Sequence, residues 1–329
     1  MKETTTEMKE AVAPDSDLLR QYAAVRDGGV GVIDLSARGR ISVSGSEAVM
    51  FLNGLITNDL KTLGENRWMP AAFPNVQGRL LAAVRIIRRG NDILLDTEAI
   101  TREKVLKIIE RFTLAGDFKV ADVTEEAPLI SFQGRGASDL IEKHFGVKDL
   151  PRDGVWQNDQ VTIIRATHTG EDGFDVIGSH EAFEATPVSE RVAEILRVEA
   201  GIARYGQDMD ETNVVTETNL DDAVSFTKGC YLGQEIIIRI KHRGHVAKKL
   251  TGIRFETDRE IEPGSVIKST DDKEIGRVTS ATFSPRLETT VGLGYVRYEY
   301  LAPNTKVVIG EVAATTQELP LVRGSWDTN

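Results

Sequence analysis

The segment at residues 228–235 reads Lys-Gly-Cys-Tyr-Leu-Gly-Gln-Glu, and the sequence pattern differs on its two sides. Before it, strand-like runs such as residues 80–87 alternate with single amphipathic helices such as residues 100–112, a mixture typical of α+β domains with antiparallel sheets. From about His245 onward, runs such as residues 275–282 and 291–298 are separated by Gly, Pro and Asp turns without a helical period. We therefore predict an α+β chain that ends in an all-β barrel of about 80 residues.

A chain of 329 residues is long for one hydrophobic core and indicates two or three domains. We predict a disordered tail at residues 1–16, which are rich in Thr, Glu and Lys. A first α+β domain at residues 17–125 and a second at residues 126–227 follow, and the two are allowed to be discontinuous and interleaved. A linker at residues 228–244 then leads into the barrel at residues 245–329.

The bulk composition excludes several classes of function. Forty Lys and Arg residues against 51 Asp and Glu give a net charge of −11, which argues against a broad nucleic-acid-binding surface. The chain contains no apolar run of about 20 residues, so no membrane span is expected, and the N-terminal segment lacks the apolar core of a secretion signal. A single cysteine fits a reducing compartment, so we predict a cytoplasmic protein with no nucleic-acid or membrane partner.

Cys230 is the only cysteine, so it cannot form a disulfide within the chain or supply a four-thiolate metal site. The common fate of a free cysteine is burial as a small hydrophobe. Here, however, the cation of Lys228 and the nearby glycines Gly229 and Gly233 would favour the thiolate. We predict that Cys230 and Lys228 carry the chemistry of the protein, of unknown reaction type, and that the thiol is partly exposed at the rim of a ligand funnel.

Nucleotide-binding patterns are absent from the sequence, which has no Gly-x-Gly-x-x-Gly after a strand and no Gly-Lys-Ser/Thr loop. Residues 197–201, Arg-Val-Glu-Ala-Gly, end a predicted helix. Arg197 and Glu199 there either form a solvated pair of charges or converge on one ligand. A carboxylate could accept two coplanar hydrogen bonds from a heterocycle. His168 precedes a turn and by itself is typical of a surface or structural histidine.

Two further features stay open at the level of sequence. His242 and His245 are three residues apart, and Cys230 is the only plausible third metal ligand. Because cations flank the two histidines, we predict no metal site. The surrounding basic run either holds the carboxylate tail of an anionic ligand or a partner, or is a solvated linker; it consists of Arg239, Lys241, His242, Arg243, Lys248 and Lys249.

These motifs together resemble a known family. The octapeptide at residues 228–235 resembles the signature of the YgfZ family of folate-binding proteins, which is related to the T-protein, the aminomethyltransferase of the glycine cleavage system. The Thr-Gly-Glu-Asp-Gly-Phe turn at residues 169–174 and the Arg-x-Glu-x-Gly segment at residues 197–201 are similar to segments of the T-protein. So is Tyr-Gly-Gln-Asp-Met at residues 205–209. The resemblance covers most of the chain.

The resemblance implies three domains around a central funnel that holds tetrahydrofolate. It implies that Glu199 grips the pterin ring, with Arg197 nearby. His168 falls where the T-protein has a tyrosine near the folate, and Gln234 falls where it tends to have a folate-contacting arginine. With Tyr231 of the octapeptide, these residues are the predicted folate-binding set.

One departure from the T-protein pattern lies at residues 78–83, which read Gly-Arg-Leu-Leu-Ala-Ala. The T-protein has two aspartates where this chain has Ala82 and Ala83, and the first of them is its catalytic carboxylate. Alanine cannot accept a proton or orient an amine. We therefore expect no aminomethyltransferase activity, and whether the chain is an enzyme stays open.

From the YgfZ resemblance we predict a tetrahydrofolate-binding accessory protein. It would assemble or maintain iron–sulfur clusters in a subset of enzymes, including radical enzymes that modify tRNA. Its partners would be client iron–sulfur proteins or cluster-assembly proteins. The alternative is a folate-dependent one-carbon (aminomethyl or methyl) transferase or demethylase, and a third possibility is an interaction protein with an empty funnel.

Overall fold

The computed structural model describes residues 15–90, 92–111, 116–178 and 183–327. The first helix, α1 (Ser16–Arg26), begins where the Asp15 side chain accepts a hydrogen bond from the Leu18 backbone N–H at 2.7 Å. The predicted tail at residues 1–16 is therefore too long by these two residues, and the rest of it lies outside the described residues.

The other helices follow in chain order: α2 (Ala48–Leu55), α3 (Arg102–Glu110), α4 (Ala137–Phe145), α5 (Glu190–Glu199) and α6 (Gln234–Arg243). Helix α6 occupies the second half of residues 228–244, the segment predicted to be a signature loop and linker between domains. Gly233, at φ +77°, lies at the start of this helix, and Gly244, at φ +84°, ends it. The buried Ile237 fixes α6 against Leu80 and Tyr231.

Two antiparallel sheets make up the part of the chain before the barrel. Their strands are β1 (Gly31–Asp34), β2 (Gly39–Ser44), β3 (Arg67–Pro74), β4 (Leu80–Arg89), β5 (Asp92–Thr97), β6 (Lys119–Asp122), β7 (Leu129–Gln133), β8 (Val155–Gln157), β9 (Thr162–Arg165), β10 (Gly173–Ile177) and β11 (Thr186–Pro187).

The first sheet has the order β3-β4-β5-β2-β6. The apolar side chains of α2 and α3 cover one face of it, where Leu52 and Val105 pack on Ile41 and Ile86. The second sheet has the order β11-β1-β7-β10-β9-β8, and only its short β1–β11 contact is parallel. Because β1 comes from the N-terminal end of the chain, the two α+β units are interleaved.

The C-terminal unit is a closed barrel with the strand order β12-β15-β14-β13-β16-β17. Its strands are β12 (Lys248–Phe255), β13 (Val266–Ser269), β14 (Glu274–Ser284), β15 (Thr289–Arg297), β16 (Lys306–Ile309) and β17 (Val312–Gln317). Buried aliphatic side chains such as Ile253, Ile267 and Val296 form its interior. The predicted α+β class with antiparallel sheets and a C-terminal all-β barrel is confirmed.

Helix α5 joins the units. Its Val192 and Leu196 pack on Leu18 and Tyr22 of α1, while its last turn packs on the outer face of the barrel through Val198 and Leu293. The segment that follows α5 therefore lies where both sheets and the barrel are close together, and this placement creates the cavity described next.

Candidate functional site

A cavity of about 520 Å³ lies beside α5. Its walls come from β1, the loop that follows it, the end of β5, His168 and the segment after α5. The apolar residues that line the cavity include Ile33, Leu35, Ala99, Val188, Ala193 and Ile202. A volume of this size with mostly apolar walls and a few polar groups is typical of sites for small organic molecules.

A continuous chain of charged side chains forms one wall of the cavity. Arg38 Nε donates to Asp96 Oδ1 at 2.8 Å, and Arg85 Nη2 donates to Asp96 Oδ2 at 2.7 Å. The same Arg85 nitrogen donates to Asp175 Oδ2 at 2.5 Å, and His168 Nε2 lies 3.1 Å from both Asp175 oxygens. We call Arg38, Asp96, Arg85, Asp175 and His168 the cavity network; Arg38 and His168 line the cavity itself.

The strands explain why these groups meet. Arg85 of β4 pairs directly with Asp96 of β5 in the first sheet, whereas Asp175 stands in β10 of the second sheet. The salt bridge between Arg85 and Asp175 therefore joins the two sheets. The His168 backbone N–H donates to Gln133 Oε1 at 2.9 Å, which fixes the turn that carries the ring.

Electrostatics keep the carboxylates of the cavity network charged. Burial disfavours the charge of Asp175, yet the His168 ring in its protonated form and the Arg85 guanidinium outweigh it and hold the pKa of Asp175 below its ordinary value. Burial likewise opposes ionisation of Asp96, and Arg38 with Arg85 lowers its pKa. A charged Asp175 can only accept hydrogen bonds, so the neutral His168 ring must carry its proton on Nε2.

The predicted pterin contact of Glu199 is not supported by its surroundings. Its carboxylate is fully buried and accepts hydrogen bonds from Tyr22 Oη at 2.8 Å, Arg26 Nη2 at 2.9 Å and Ser284 Oγ at 2.5 Å. Arg26 also donates to Glu171 at 2.9 Å. We call these residues the closed network; Glu199 does not line the cavity, because α1 and the barrel cover its oxygens.

Arg197 lies at the cavity wall, but its guanidinium is fully engaged. Nη1 donates to Asp208 at 2.7 Å and Nη2 donates to Ser280 Oγ at 2.7 Å. Nε donates to Glu194 at 2.7 Å. The side chain therefore connects α5 to the segment after it and to the barrel. Its N–H groups are used in these bonds and are not free to bind a ligand in the cavity.

The predicted chemical partnership of Lys228 with Cys230 is also not supported. Lys228 is buried, and its ammonium donates to the carbonyl oxygens of Asn53 at 2.6 Å, Ile56 at 3.0 Å and Asn58 at 2.6 Å. Burial lowers the pKa of Lys228 to about 8. All three N–H bonds of the ammonium thus fix the octapeptide to the end of α2. Cys230 is exposed and lies outside the cavity lining.

Tyr231 and Gln234 also lie away from the cavity lining. Tyr231 is buried among Leu80, Tyr205 and Ile237, and burial raises its pKa to about 12. Gln234 Nε2 donates to the carbonyl oxygen of Lys228 at 3.3 Å. Of the predicted folate-binding residues, the structure therefore brings only His168 and Arg197 to the described cavity.

The two alanines that replace the T-protein aspartates face opposite sides of β4. Ala82 is fully buried in the core under α2 and α3. Ala83 is partly buried, packs on the cluster that contains Tyr231, and shares its strand face with Arg85. Position 83 therefore lies on the strand face that carries Arg85 of the cavity network, although Ala83 itself does not line the cavity.

Other candidate features give no site of their own. Within the described ranges, no group of three or more His, Cys, Asp or Glu side chains could hold a metal ion. His245 instead stacks on Tyr298, with ring centroids 4.1 Å apart. No helix in the described part of the chain is long and apolar enough to cross a membrane.

The sequence reasoning missed Asp175 and Arg85, although a signal for both exists. Each stands inside an otherwise apolar strand, in Gly-Phe-Asp-Val-Ile and in Ala-Ala-Val-Arg-Ile-Ile. A charge that interrupts a buried strand requires a partner of the opposite sign. The ion pair between Arg85 and Asp175 could therefore have been predicted from the sequence, but the distance between the two groups could not.

Comparisons with known proteins define the family. Residues 14–228 match the GCVT N-terminal domain, and residues 248–322 match the glycine cleavage T-protein C-terminal barrel domain. The chain therefore belongs to the glycine cleavage T-protein family.

Individual relatives agree with this assignment. An aminomethyltransferase from Rubrobacter xylanophilus is 32% identical over 294 residues, which cover 84% of this chain and 78% of that protein. One from Thermotoga neapolitana is 27% identical over 342 residues, covering 94% and 91%. The crystal structure of glycine cleavage system aminomethyltransferase T from Bartonella henselae shares the fold, with a TM-score of 0.85 at 22% identity over 96% of this chain and 91% of that one.

These relatives correct the functional prediction. The predicted role in iron–sulfur cluster assembly and tRNA modification is wrong by this comparison, because the relatives are named aminomethyltransferase. They favour the alternative, a folate-dependent transferase. The family resemblance itself is confirmed at the level of the T-protein.

Proposed function

We propose that this protein is a folate-dependent one-carbon transferase that binds tetrahydrofolate in the cavity beside α5. The observation that carries the proposal is the cavity network, whose buried charges end at a histidine in the cavity wall. Membership of the T-protein family supports the same reaction class. The transferred unit is an aminomethyl or methyl group, and the proposal thereby gives up the expectation, drawn from Ala82 and Ala83, that aminomethyl transfer is absent.

The cavity residues fit a folate. About 520 Å³ lies within the ordinary range for a bound heterocycle, and the side chains of Leu35, Ala99 and Ile202 offer flat apolar contacts. A pterin edge presents both N–H donors and a carbonyl acceptor, and the wall offers Glu98 as an acceptor and Arg38 as a donor. Tetrahydrofolate, when bound, supplies ring nitrogens that carry the one-carbon unit.

The chain itself would hold the ligand, exclude water and supply charge at fixed positions. Arg38 bonds to both Glu98 and Asp96, so its guanidinium is oriented before any ligand arrives. The apolar walls lower the local dielectric constant and strengthen the interaction of these charges with a ligand. Because neither Ala82 nor Ala83 offers a carboxylate, the chemistry must use another group, which we place in the cavity.

We also infer, from the octapeptide at residues 228–235, that the chain belongs to the YgfZ branch of the family. The pair Ala82 and Ala83 supports the inference, since both T-protein aspartates are missing. A cytoplasmic location is part of the proposal, because the single cysteine fits a reducing compartment.

A titration of tetrahydrofolate by calorimetry tests the binding step. Ala193→Trp fills the cavity from α5 and should weaken binding at least about tenfold, because the indole occupies the ligand volume. Ala313→Trp, on the exposed side of β17, is the matched control and should leave affinity unchanged. Equal affinity of both variants would move the folate site elsewhere.

Turnover tests the reaction class. The wild-type protein should consume 5,10-methylenetetrahydrofolate in the presence of an amine acceptor, followed by carbon-13 NMR on the labelled methylene group. Binding of folate without any turnover would reduce the protein to a folate-binding module.

A further inference from the structure

The cavity network has one open end, and that end is a titratable side chain. His168 Nε2 is held by Asp175, whereas His168 Nδ1 has no hydrogen-bond partner among the described residues. The ring lies in the cavity wall with about a quarter of its side-chain surface exposed (23%), and Asp175 behind it is fully buried. When the ring is neutral with its proton on Nε2, Nδ1 keeps a lone pair without a partner, and the two contacts with Asp175 hold the ring in place.

We propose that His168 is the residue that accepts and returns the proton moved during one-carbon transfer in this cavity, with Asp175 as its positioning residue. The inference rests on the proposed function and names the group that takes over from the carboxylates missing at Ala82 and Ala83. His168 Nδ1 would act at the cavity side of the ring, and the Nε2–H bond to Asp175 would stabilise the imidazolium that forms.

The other charged groups of the cavity are less suited to this role. They are Asp34, Arg38, Glu98, Glu190, Arg197 and Arg204. The arginines stay protonated at any working pH. Glu98 is paired with Arg38, and hydrogen bonds from Ser36 lower the pKa of Asp34. Glu190 is exposed at the start of α5. An imidazole is the side chain that ordinarily gains and loses a proton near neutral pH.

The proton count of the step balances. The methylene carbon of 5,10-methylenetetrahydrofolate is bonded to two folate nitrogens. When it passes to a primary amine, each folate nitrogen keeps the electron pair of its broken bond and takes up one proton, and the amine loses two protons as it forms two bonds to the carbon. His168 Nδ1 receives each proton from the amine and delivers it to a folate nitrogen, so the residue ends each turnover as it began. No oxidant or reductant takes part.

A spectroscopic test needs no turnover. Nitrogen-15 NMR of labelled histidine reports which ring nitrogen carries the proton, and His168→Gln identifies the signal among the five histidines. We expect the neutral ring to carry its proton on Nε2. In Asp175→Asn the amide oxygen would turn toward the donor Arg85 and the amide N–H₂ toward the ring, which should move the proton to Nδ1. A wild-type Nδ1–H ring, or no change in Asp175→Asn, would overturn the positioning role.

Transfer rates test the catalytic role. His168→Gln should slow single-turnover transfer about 100-fold, while the affinity for tetrahydrofolate stays within about threefold. Asp175→Asn should also slow transfer, and Asp175→Glu should restore part of it because a carboxylate returns. His245→Gln makes the same chemical change at an exposed position just before the barrel and should leave the rate unchanged. Melting curves confirm that each variant is folded.

The outcomes separate the two proposals. Wild-type transfer with an equally fast His168→Gln variant overturns the role of His168 and leaves the proposed function intact. Folate binding with no wild-type transfer overturns both. Slow transfer in His168→Gln together with the Nε2–H ring supports both.

Discussion

The cavity network and the closed network are built from the same kinds of groups but differ at their ends. Each buries arginine between carboxylates, with Arg85 between Asp96 and Asp175 in one and Arg26 between Glu199 and Glu171 in the other. In the closed network, the hydroxyl groups of Tyr22 and Ser284 both reach Glu199 Oε1, the oxygen that Arg26 leaves free. The cavity network ends instead at the partly exposed His168.

This difference explains why a buried charge by itself is weak evidence for a ligand site. A network whose every lone pair and N–H bond is used can only hold elements together, and Glu199 connects α1, α5 and the barrel in this way. A network with one unused lone pair beside a cavity can also act on a ligand. For both Glu199 and His168, the sequence offers only the residue type and the surrounding motif. Only the geometry of the folded chain distinguishes a network that is fully bonded from one that can act on a ligand.

The largest effect is expected when the closed network is broken. Glu199→Ala removes a fully buried carboxylate and leaves Arg26 without its main partner, so we expect a loss of about 3–5 kcal/mol of unfolding free energy. Denaturant melts measure it. His168→Gln, at the open end of the other network, should lose no more than about 1 kcal/mol.

The same variant distinguishes structural from binding roles. Below its melting temperature, Glu199→Ala should bind tetrahydrofolate as the wild type does. If Glu199→Ala instead keeps wild-type stability and binds tetrahydrofolate ten times more weakly, the result would support the predicted contact between Glu199 and the pterin ring.

A smaller but still large effect is expected from an added carboxylate on β4. Ala82→Asp places an unpaired carboxyl group in a fully buried apolar core and should lower the unfolding free energy by roughly 3–4 kcal/mol. Ala83→Asp is its matched control on the opposite face, where the group is partly exposed, and should lose roughly 1 kcal/mol. Equal losses would show that the two faces of β4 are not distinct, and a faster transfer rate in Ala83→Asp would show that position 83 reaches the ligand.

The fold could be predicted because its signals are local. Alternation and turn residues identify the barrel strands from Lys248 onward, and apolar spacing identifies α3. Helix α6 was missed because it is short, lies between Gly233 and Gly244, and contains charged residues that are typical of a linker. The β1–β7 pairing joins residues about 100 positions apart, as in Val32 with Phe132, and no local pattern encodes a contact over such a distance.

The site could be predicted only in part, for a related reason. The motif identified Glu199, Arg197 and His168 together, but a motif gives no direction for a side chain. Glu199 points into the closed network because Tyr22, far earlier in the chain, supplies a donor there. His168 faces the cavity because Gln133 holds its backbone and Asp175 its ring. These contacts join residues from separate elements of the chain, so they follow from the fold and not from the sequence motif around Glu199 or His168.

The buried ammonium group of Lys228 predicts an effect of pH on the unfolding free energy, and this effect is intermediate in size. Burial lowers the pKa of Lys228 to about 8 from an ordinary value near 10.5. Between these values the unfolded chain binds more protons than the folded one, so stability should rise as the pH increases from about 8 to 10.5. The three carbonyl acceptors partly offset the burial, and we expect a gain of roughly 1–3 kcal/mol.

Urea melts across this pH range, with Lys228→Met as the comparison, isolate the effect. The variant lacks the titrating group and should show a flatter dependence on pH. Lys143→Met, at an exposed position of α4, should follow the wild type. Parallel curves for wild type and Lys228→Met would mean that the carbonyl bonds fully compensate the burial.

The smallest effect is expected at Cys230, which belongs to neither network. Its side chain is exposed and does not line the cavity, and Lys228, its supposed activator, is bound to backbone carbonyls. Cys230→Ser should therefore change the unfolding free energy by less than about 0.5 kcal/mol and leave the affinity for tetrahydrofolate unchanged. A maleimide should label the wild-type thiol fully in the folded state. If transfer activity nevertheless disappears in Cys230→Ser, the thiol must act on the one-carbon donor outside the cavity, and an exposed group would then share the chemistry that we place at the open end of the cavity network.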